Sequence, residues 1–302
     1  MTKSTKWFLG ILGFLVLLAF GFTILLISFF SGSLERTETV TTGTGDKIAI
    51  VELKGRIDSS EDLVRQFKKY RENTSIRAIV LRVDSPGGGV VASQEMYEEV
   101  KKTRDRGKPV IVSMGSLAAS GGYYVSCASS KLVANRGTLT GSVGVILEFL
   151  QLHDALNKLG VDVKTIKAGK LKDSGSPTRK MTGEDQKYFQ DLVENVHRQF
   201  INVVETERKL SHEDAVALAD GRVFSGEQAL ALGLVDTLGT FEDAVKIAAH
   251  IVGIKGEPSL VKERRRQTWW ETVLGDAGAS IKDMKQELLD RPLLSYRFAG
   301  PF

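Results

Sequence analysis

The sequence is short of the residues on which several common chemistries depend. A single cysteine, Cys127, excludes an internal disulfide framework and any cysteine-based metal site. The four histidines all fall in polar segments with helical patterning, which gives no convincing Ser-His-Asp set. No Gly-Lys-Ser or Gly-Lys-Thr follows a glycine-rich stretch, so a Walker-type phosphate loop is excluded as well.

An excess of one charge sign is also lacking. The formal net charge is only +4, and the basic excess is spread along the 302 residues rather than striped. We therefore expect no nucleic-acid partner. A local basic run, Lys262–Arg266, is typical of a solvated segment or of a contact with anionic lipid headgroups.

Charge is missing altogether near the N-terminus. No charged residue stands between Lys6 and Glu35, and residues 7–30 form an apolar run of 24 residues. About 20 apolar residues cross a bilayer as a helix. The run is too long for a signal peptide and lacks a small-x-small cleavage site, so it predicts a single transmembrane helix with tail 1–6 in the cytoplasm and the remainder outside.

The rest of the chain alternates strand-like and helix-like segments. A linker over 31–46 rich in Thr and Gly precedes a domain over 47–253, and an extension over 254–302 contains Trp269 and Trp270 in a pattern suited to an amphipathic helix. Strands are expected near 48–53, 76–83, 110–113, 132–134 and 161–166, and helices near 61–71, 90–103, 121–129, 152–158, 183–208, 212–219, 226–232 and 241–251. This order predicts a mostly parallel, layered α/β sheet whose ligand loops gather at the strand ends, followed by a helical C-terminal part.

One serine stands where a nucleophile could act. Ser120 follows the apolar run 110–112 and the small residues 115–119, and it precedes a helix that opens at Gly121. At such a turn a hydroxyl can stand clear of the backbone, and the helix N-terminus favours developing negative charge. The alternative is an ordinary helix cap, because serine is a good N-cap residue.

Three other stretches bear on this choice. Asp84-Ser-Pro-Gly-Gly88 ends a strand with glycines that can present bare N–H groups, although a plain tight turn has the same composition. Thr140-Gly-Ser-Val-Gly144 is on its own ordinary turn chemistry. Gly169-Lys-Leu-Lys-Asp-Ser-Gly-Ser-Pro177 holds two lysines whose spacing alone does not separate Lys170 from Lys172 as a functional residue.

Together with Ser116-Leu-Ala-Ala-Ser-Gly-Gly-Tyr-Tyr124, these stretches resemble serine peptidase family S49, the family of signal peptide peptidase A, in its short, single-repeat form. The resemblance covers about residues 47–253 and implies a ClpP/crotonase-like fold. Matched position by position, it implies that Ser120 is the nucleophile and Lys172 the general base. It also implies that Ser142 orients the lysine and that Gly87 and Gly121 bind the oxyanion.

A Ser-Lys dyad is chemically consistent with this composition. A lysine amine can accept the serine proton only where desolvation lowers its pKa from about 10.4 toward neutrality. The resemblance implies an endopeptidase that degrades remnant signal peptides and other small hydrophobic peptides at the outer face of the cytoplasmic membrane. It implies no metal, nucleotide or organic cofactor, and a homo-oligomer in which neighbouring subunits help to complete each site.

Two other functions remain open at this stage. A crotonase-type acyl-CoA enzyme shares the fold, but it leaves Lys172 and the apolar N-terminal run without a role. A catalytically idle membrane scaffold is the other alternative, and the presence of Ser120, Ser142 and Lys172 argues against it.

Overall fold

The computed structural model falls into two compact units. One unit comprises residues 1–39 with 263–275, and the other comprises residues 40–262 with 276–302. The residues described are 3–30, 37–42, 45–265 and 294–298. The extension beyond residue 265, including Trp269 and Trp270, therefore lies outside the described residues apart from 294–298.

The first unit contains helix α1, Lys3–Phe30. Its described apolar side chains, such as those of Trp7, Phe14 and Phe20, are exposed. Among the helices described, none combines the length and the apolar character needed to cross a membrane. That residues 7–30 span a bilayer stays a prediction.

A large sheet forms the centre of the second unit. Along its main path the described strands lie in the order β1-β11-β2-β3-β5-β6-β10, with β7 paired to β5 and β9 paired to β7. The neighbours from β11 through β10 pair in parallel, and β7 with β9 is antiparallel. The strands are β1 (Thr37–Thr42), β2 (Lys47–Lys54), β3 (Ile76–Ser85), β4 (Gly87–Gly89), β5 (Val110–Ala119), β6 (Lys131–Ala134), β7 (Leu139–Gly141), β8 (Ile146–Leu147), β9 (Val223–Ser225), β10 (Thr237–Leu238), β11 (Ser259–Arg265) and β12 (Leu294–Arg297).

Helices cover both faces of this sheet, so the predicted layered α/β architecture is confirmed. Alternate residues of strand β2 are buried on opposite faces of the sheet. Ile48 and Ile50 pack in the core under the helix Phe241–Ile251, whereas Ala49 and Val51 pack in the larger core on the other face. A continuous apolar run is what a parallel strand buried on both faces requires. The helices are α2 (Glu61–Glu72), α3 (Val90–Asp105), α4 (Gly121–Cys127), α5 (His153–Lys158), α6 (Gly183–Arg208), α7 (His212–Ala217), α8 (Gly226–Ala231) and α9 (Phe241–Ile251).

Several segments differ from the sequence-based expectation. The C-terminal part, expected to be helical, also contributes β9, β10 and β11 to the main sheet. Residues 37–42, predicted as part of a linker, form β1, because their run of β-branched threonines and Val40 favours an extended chain. Strand β5 continues to Ala119 instead of ending near Ser113. Residues 161–166, predicted as a strand, lie in no strand and are exposed, because no neighbouring strand of this chain pairs with them.

A second, small sheet lies beside the first. Strand β12 is its middle strand, antiparallel to β4 on one side and to β8 on the other. Since β4 immediately precedes α3 and carries three consecutive glycines, this sheet brings the C-terminal strand against the glycine loop.

Candidate active site

Ser120 occupies a strained turn between β5 and α4. Its backbone has φ 53° and ψ −118°, a left-handed conformation that non-glycine residues rarely adopt and that concentrates at functional sites. The turn is held by two backbone hydrogen bonds, from the Ser120 N–H to the Gly141 carbonyl (2.8 Å) and from the Tyr124 N–H to the Ser120 carbonyl (2.8 Å).

The Ser120 side chain does not act as a helix cap. It makes no capping hydrogen bond to α4, and its buried Oγ has no hydrogen-bond partner among the described residues. A buried hydroxyl without a partner is costly in a folded protein and calls for an explanation. The structure therefore excludes the alternative that the Ser120 side chain serves only to cap helix α4.

Gly87 and Gly121 converge on the same point. Gly87 has φ +92°, and a β-carbon on it would collide with backbone atoms, including the Gly121 nitrogen. A β-carbon on Gly121 would lie 3.2 Å from the Gly87 α-carbon. The two glycines predicted to form an oxyanion site are thus neighbours, and both need to lack a side chain.

The Gly87 N–H is not idle in this structure. It donates to the Ser85 hydroxyl at 3.1 Å, which holds the glycine turn in shape. An oxygen arriving between the glycines therefore shares the Gly87 N–H with Ser85, whereas the Gly121 N–H lies in the first turn of α4, where backbone donors have no partner within the helix.

Ser142 lies next to Ser120 because of strand register. Strand β7 runs parallel to the end of β5, with Gly141 opposite Ala119, so the two serines follow on adjacent strands. Ser142 also has φ 53° and is buried, and its N–H donates to the Arg222 carbonyl at 2.8 Å. That Ser142 orients the lysine stays a prediction.

Lys172 is not brought to them within this chain. It is exposed in a series of turns, and among the described residues its amine makes no hydrogen bond or ion pair with Ser120 or Ser142. The alternative lysine, Lys170, is engaged elsewhere, since its Nζ donates to Glu184 at 2.7 Å.

The turns that carry Lys172 are fixed by an ion cluster at the start of α6. Arg179 donates to Asp173 (2.9 Å) and to Asp185 (2.6 Å), and Asp185 also accepts from Ser174 and Thr182. Hydrogen bonds from Arg179 and Lys167 lower the pKa of Asp173 to about 2, and Arg179 together with Ser174 and Thr182 holds the pKa of Asp185 well below its usual range. Both carboxylates are therefore charged at neutral pH, and the loop next to Lys172 is ordered.

Sequence reasoning missed the residues that support the two loops. Asp84 accepts the Leu117 N–H at 3.1 Å and lies so close to Gly115 that a β-carbon there would be 2.8 Å from the Asp84 carboxyl carbon. This contact ties the glycine loop after β3 to the strand that ends at Ser120. The Asp-Ser-Pro motif predicts the loop, but no sequence feature indicates that Asp84 would bind the backbone of the neighbouring strand.

No histidine is hydrogen-bonded to Ser120 in the described part of the chain, which agrees with the absence of a Ser-His-Asp pattern. Within residues 3–30, 37–42, 45–265 and 294–298, no cluster of three or more histidine, cysteine, aspartate or glutamate side chains has an arrangement suited to a metal ion.

Comparison with known proteins identifies the family of this chain. Residues 102–255 match the model of peptidase family S49. A candidate protease from Synechocystis sp. is 43% identical over 214 residues, which cover 70% of this chain and 77% of that protein. A candidate signal peptide peptidase from Enterococcus faecium is 40% identical over 185 residues, 61% of this chain and 54% of that protein. Protease 4 of Salmonella typhi is 34% identical over 89% of this chain, which spans 45% of that protein.

Among solved structures, a ClpP1 mutant from Listeria monocytogenes is similar with a TM-score of 0.45 and 16% identity, covering 65% of this chain and 93% of that chain. The family model spans half of the sequence, and the Synechocystis relative covers more than two thirds of it at well above 30% identity. The chain belongs to peptidase family S49 and is a serine peptidase.

Proposed function

We propose that this chain is a membrane-anchored endopeptidase in which Ser120 attacks the peptide carbonyl and Lys172 serves as its base. The observation that carries the proposal is the Ser120 hydroxyl itself. It is buried on a strained turn and has no hydrogen-bond partner among the described residues. Two glycines without room for a side chain lie beside it.

The reaction follows from this arrangement. Ser120 Oγ adds to the scissile carbonyl carbon and gives its proton to the lysine amine, while the oxyanion accepts from the Gly121 N–H and from Gly87. Collapse breaks the C–N bond, and the lysine returns the proton to the leaving amine. Water then adds to the acyl-enzyme by the same route and releases the carboxylic acid and the free hydroxyl. One oxyanion donor is commonly worth about 10²–10³ in rate.

The base reaches the site from a neighbouring copy of the chain. Lys172 is exposed, and within the part of the chain that the structure describes neither its amine nor the Ser120 hydroxyl has a hydrogen-bond partner. A homo-oligomer meets both needs, because Lys172 of one copy lies beside Ser120 of the next. Ser142, beside Ser120 by register, is placed to accept a hydrogen bond from the incoming amine.

The segment that leads to Lys172 has the composition of an interface. Val161 and Val163 are each 46% exposed and Ile166 is 94% exposed, an unusual concentration of β-branched side chains in solvent. Exposed β-branched side chains concentrated in one segment are typical of a surface that contacts another protein. A second copy that covers this segment would also exclude water from the lysine.

The substrates we propose are remnant signal peptides and other small hydrophobic peptides at the outer face of the cytoplasmic membrane. The Enterococcus faecium relative is named for signal peptides. The uncharged run over 7–30, with two lysines before it at positions 3 and 6, supports an anchor whose N-terminus stays inside. Confinement to the membrane would bring enzyme and substrate together.

Mixing two inactive variants tests the shared site. In detergent, the full chain should hydrolyse a fluorogenic signal-peptide-like substrate, and Ser120→Ala and Lys172→Ala should each abolish this activity, whereas Lys170→Met, the matched control, should retain it. In a head-to-tail ring, random co-assembly of the two inactive variants restores about a quarter of wild-type activity.

Two results would contradict the proposal. An active Lys172→Ala variant would show that Lys172 is not the base. A co-assembled mixture that stays inactive, with mass spectrometry confirming mixed oligomers, would place the base in the same chain as its serine.

A further inference from the structure

Two further serines flank the glycine pair, and both are fully buried. Ser85 and Ser93 each bind the glycine loop, Gly87–Gly89, through one hydrogen bond. The Ser85 hydroxyl accepts the Gly87 N–H at 3.1 Å, and the Ser93 hydroxyl donates to the Gly89 carbonyl at 2.9 Å. Burying a hydroxyl costs free energy, so the function of these two lies in the contacts that they make inside the fold.

Each serine also lies against the first turn of α4. A β-carbon on Gly121 would be 2.6 Å from the Ser93 hydroxyl oxygen, and a β-carbon on Gly122 would be 2.9 Å from the Ser85 carbonyl oxygen. Neither Gly121 nor Gly122 has a positive φ, so the backbone conformation does not require glycine there. Space requires it, and the nearest atom in each case belongs to one of the two serines.

The two serines therefore connect the halves of the oxyanion site. Ser85 is bonded to Gly87 and packs on Gly122, whereas Ser93 is bonded to the end of the glycine loop and packs on Gly121. An oxyanion donor is effective only when its N–H points, from about 2.7–3.1 Å, at the place where the charge develops. The separation of the two donors thus depends on the side chains that lie between the glycine loop and α4.

We propose that Ser85 and Ser93 are positioning residues, which fix the distance and direction of the Gly87 and Gly121 N–H groups relative to each other. This inference rests on the oxyanion role proposed for the two glycines. Loss of either hydroxyl leaves the Ser120 nucleophile and the substrate contacts in place, but it lets the glycine loop and α4 shift relative to each other. The cost falls on the transition state, where the oxyanion forms, and not on substrate binding.

Ser126 provides a matched control on α4. It is fully buried like Ser93, and its hydroxyl donates at 2.7 Å to the carbonyl of Gly122, four residues earlier, as Ser93 does to Gly89. Alanine therefore removes the same group and the same kind of hydrogen bond at both positions. The bond of Ser126 stays within α4, whereas that of Ser93 ends on the glycine loop.

Kinetics of the full chain in detergent test the proposal with a fluorogenic peptide and a peptide aldehyde of the same sequence. The aldehyde adds to Ser120 as a hemiacetal whose oxygen takes the oxyanion position, so its affinity reports on the two donors. Ser85→Ala and Ser93→Ala should each lower kcat by about 10- to 100-fold, with KM within about twofold of wild type. Both should weaken aldehyde inhibition by the same factor, whereas Ser126→Ala should match the wild type in kcat and in aldehyde inhibition.

A double variant tests whether Ser85 acts through Gly87. In a chain that already carries Gly87→Ala, adding Ser85→Ala should lower kcat by no more than about twofold, because the N–H that Ser85 positions is already displaced. A further loss as large as that in the wild-type background would show that Ser85 acts elsewhere, and would overturn its positioning role.

The readouts separate failure of this inference from failure of the proposed function. If Ser85→Ala and Ser93→Ala keep kcat while Ser120→Ala abolishes it, the positioning role is wrong and the peptidase proposal stands. If Ser126→Ala loses as much kcat as Ser93→Ala, the loss comes from removing any buried hydroxyl, and the positioning role is again wrong. If hydrolysis by the wild type does not depend on Ser120, the proposed function itself fails.

Discussion

Replacing Gly87 by alanine tests the glycine pair against a well-matched control. Gly87 (φ +92°) and Gly107 (φ +85°) have nearly the same backbone conformation, so alanine at either position carries a similar conformational strain. Such strain costs about 1–3 kcal/mol. The difference lies in the surroundings: nothing lies within 4 Å of a β-carbon on Gly107, whereas a β-carbon on Gly87 would lie 2.1 Å from the Tyr296 carbonyl oxygen and 2.5 Å from the Gly121 nitrogen.

The two variants should therefore differ in activity as well as in stability, because the β-carbon of Gly87→Ala also meets the backbone of Gly121 and Tyr296. We expect Gly107→Ala to lower the urea midpoint while keeping kcat close to wild type. Gly87→Ala should lose about 10²–10³ in kcat, the loss that removal of one oxyanion donor commonly causes. The assay is hydrolysis of a fluorogenic peptide by the full chain in detergent, with urea unfolding followed by circular dichroism on the same samples.

A Gly87→Ala variant that keeps near-wild-type kcat would refute the assignment of this glycine. Equal loss of activity in Gly107→Ala would also refute it, because the effect would then come from backbone strain and not from the site.

Three further predictions concern the rest of the fold. Burial raises the pKa of the Cys127 thiol to about 12, so iodoacetamide at pH 8 should label it only after denaturation, and equal labelling of the native chain would contradict its burial. Arg71→Met should cost about 3–5 kcal/mol in urea unfolding because it leaves Glu99 buried without its partner. Arg136→Met, which breaks the exposed pair with Glu227, should cost under about 1 kcal/mol, and similar losses in both would refute the contrast. Arg179 lowers the pKa values of Asp173 and Asp185, so its ion pairs with them stabilise the folded chain fully at pH values above about 3.9, the pKa of aspartate in the unfolded chain. This stabilisation is lost progressively as the pH falls below that value. The urea midpoints of wild type and Arg179→Met should then differ most at pH 6 and converge only as the pH falls toward about 2, the folded-state pKa of Asp173, and a constant difference would contradict this coupling.

Most of the layered fold could be predicted from the sequence because its strands are continuous apolar runs. The residues of β2 and β3 are buried on both faces, and Thr182, with Asp185 three residues later, forms the capping box that starts α6. The strand predicted over residues 161–166 was wrong. β-Branched residues indicate a preference for extended backbone, but they do not indicate that a neighbouring strand is present to pair with it.

The candidate site was predicted only in its local parts. Ser120 and Gly121 belong to one contiguous motif, and Gly87 belongs to another. The two motifs lie close together because the parallel strands that precede them, β5 and β3, end at one edge of the sheet. Under the proposed function, the place of Lys172 relative to Ser120 depends on a second copy of the chain.

Strand β12 also changes how the kinetics of this peptidase should be read. A segment tethered to its own site acts as a competitor whose effective concentration is on the order of millimolar, whatever the concentration of protein. A substrate that adds to β4 as a strand must displace β12, so the intact chain should show a raised KM with little change in kcat.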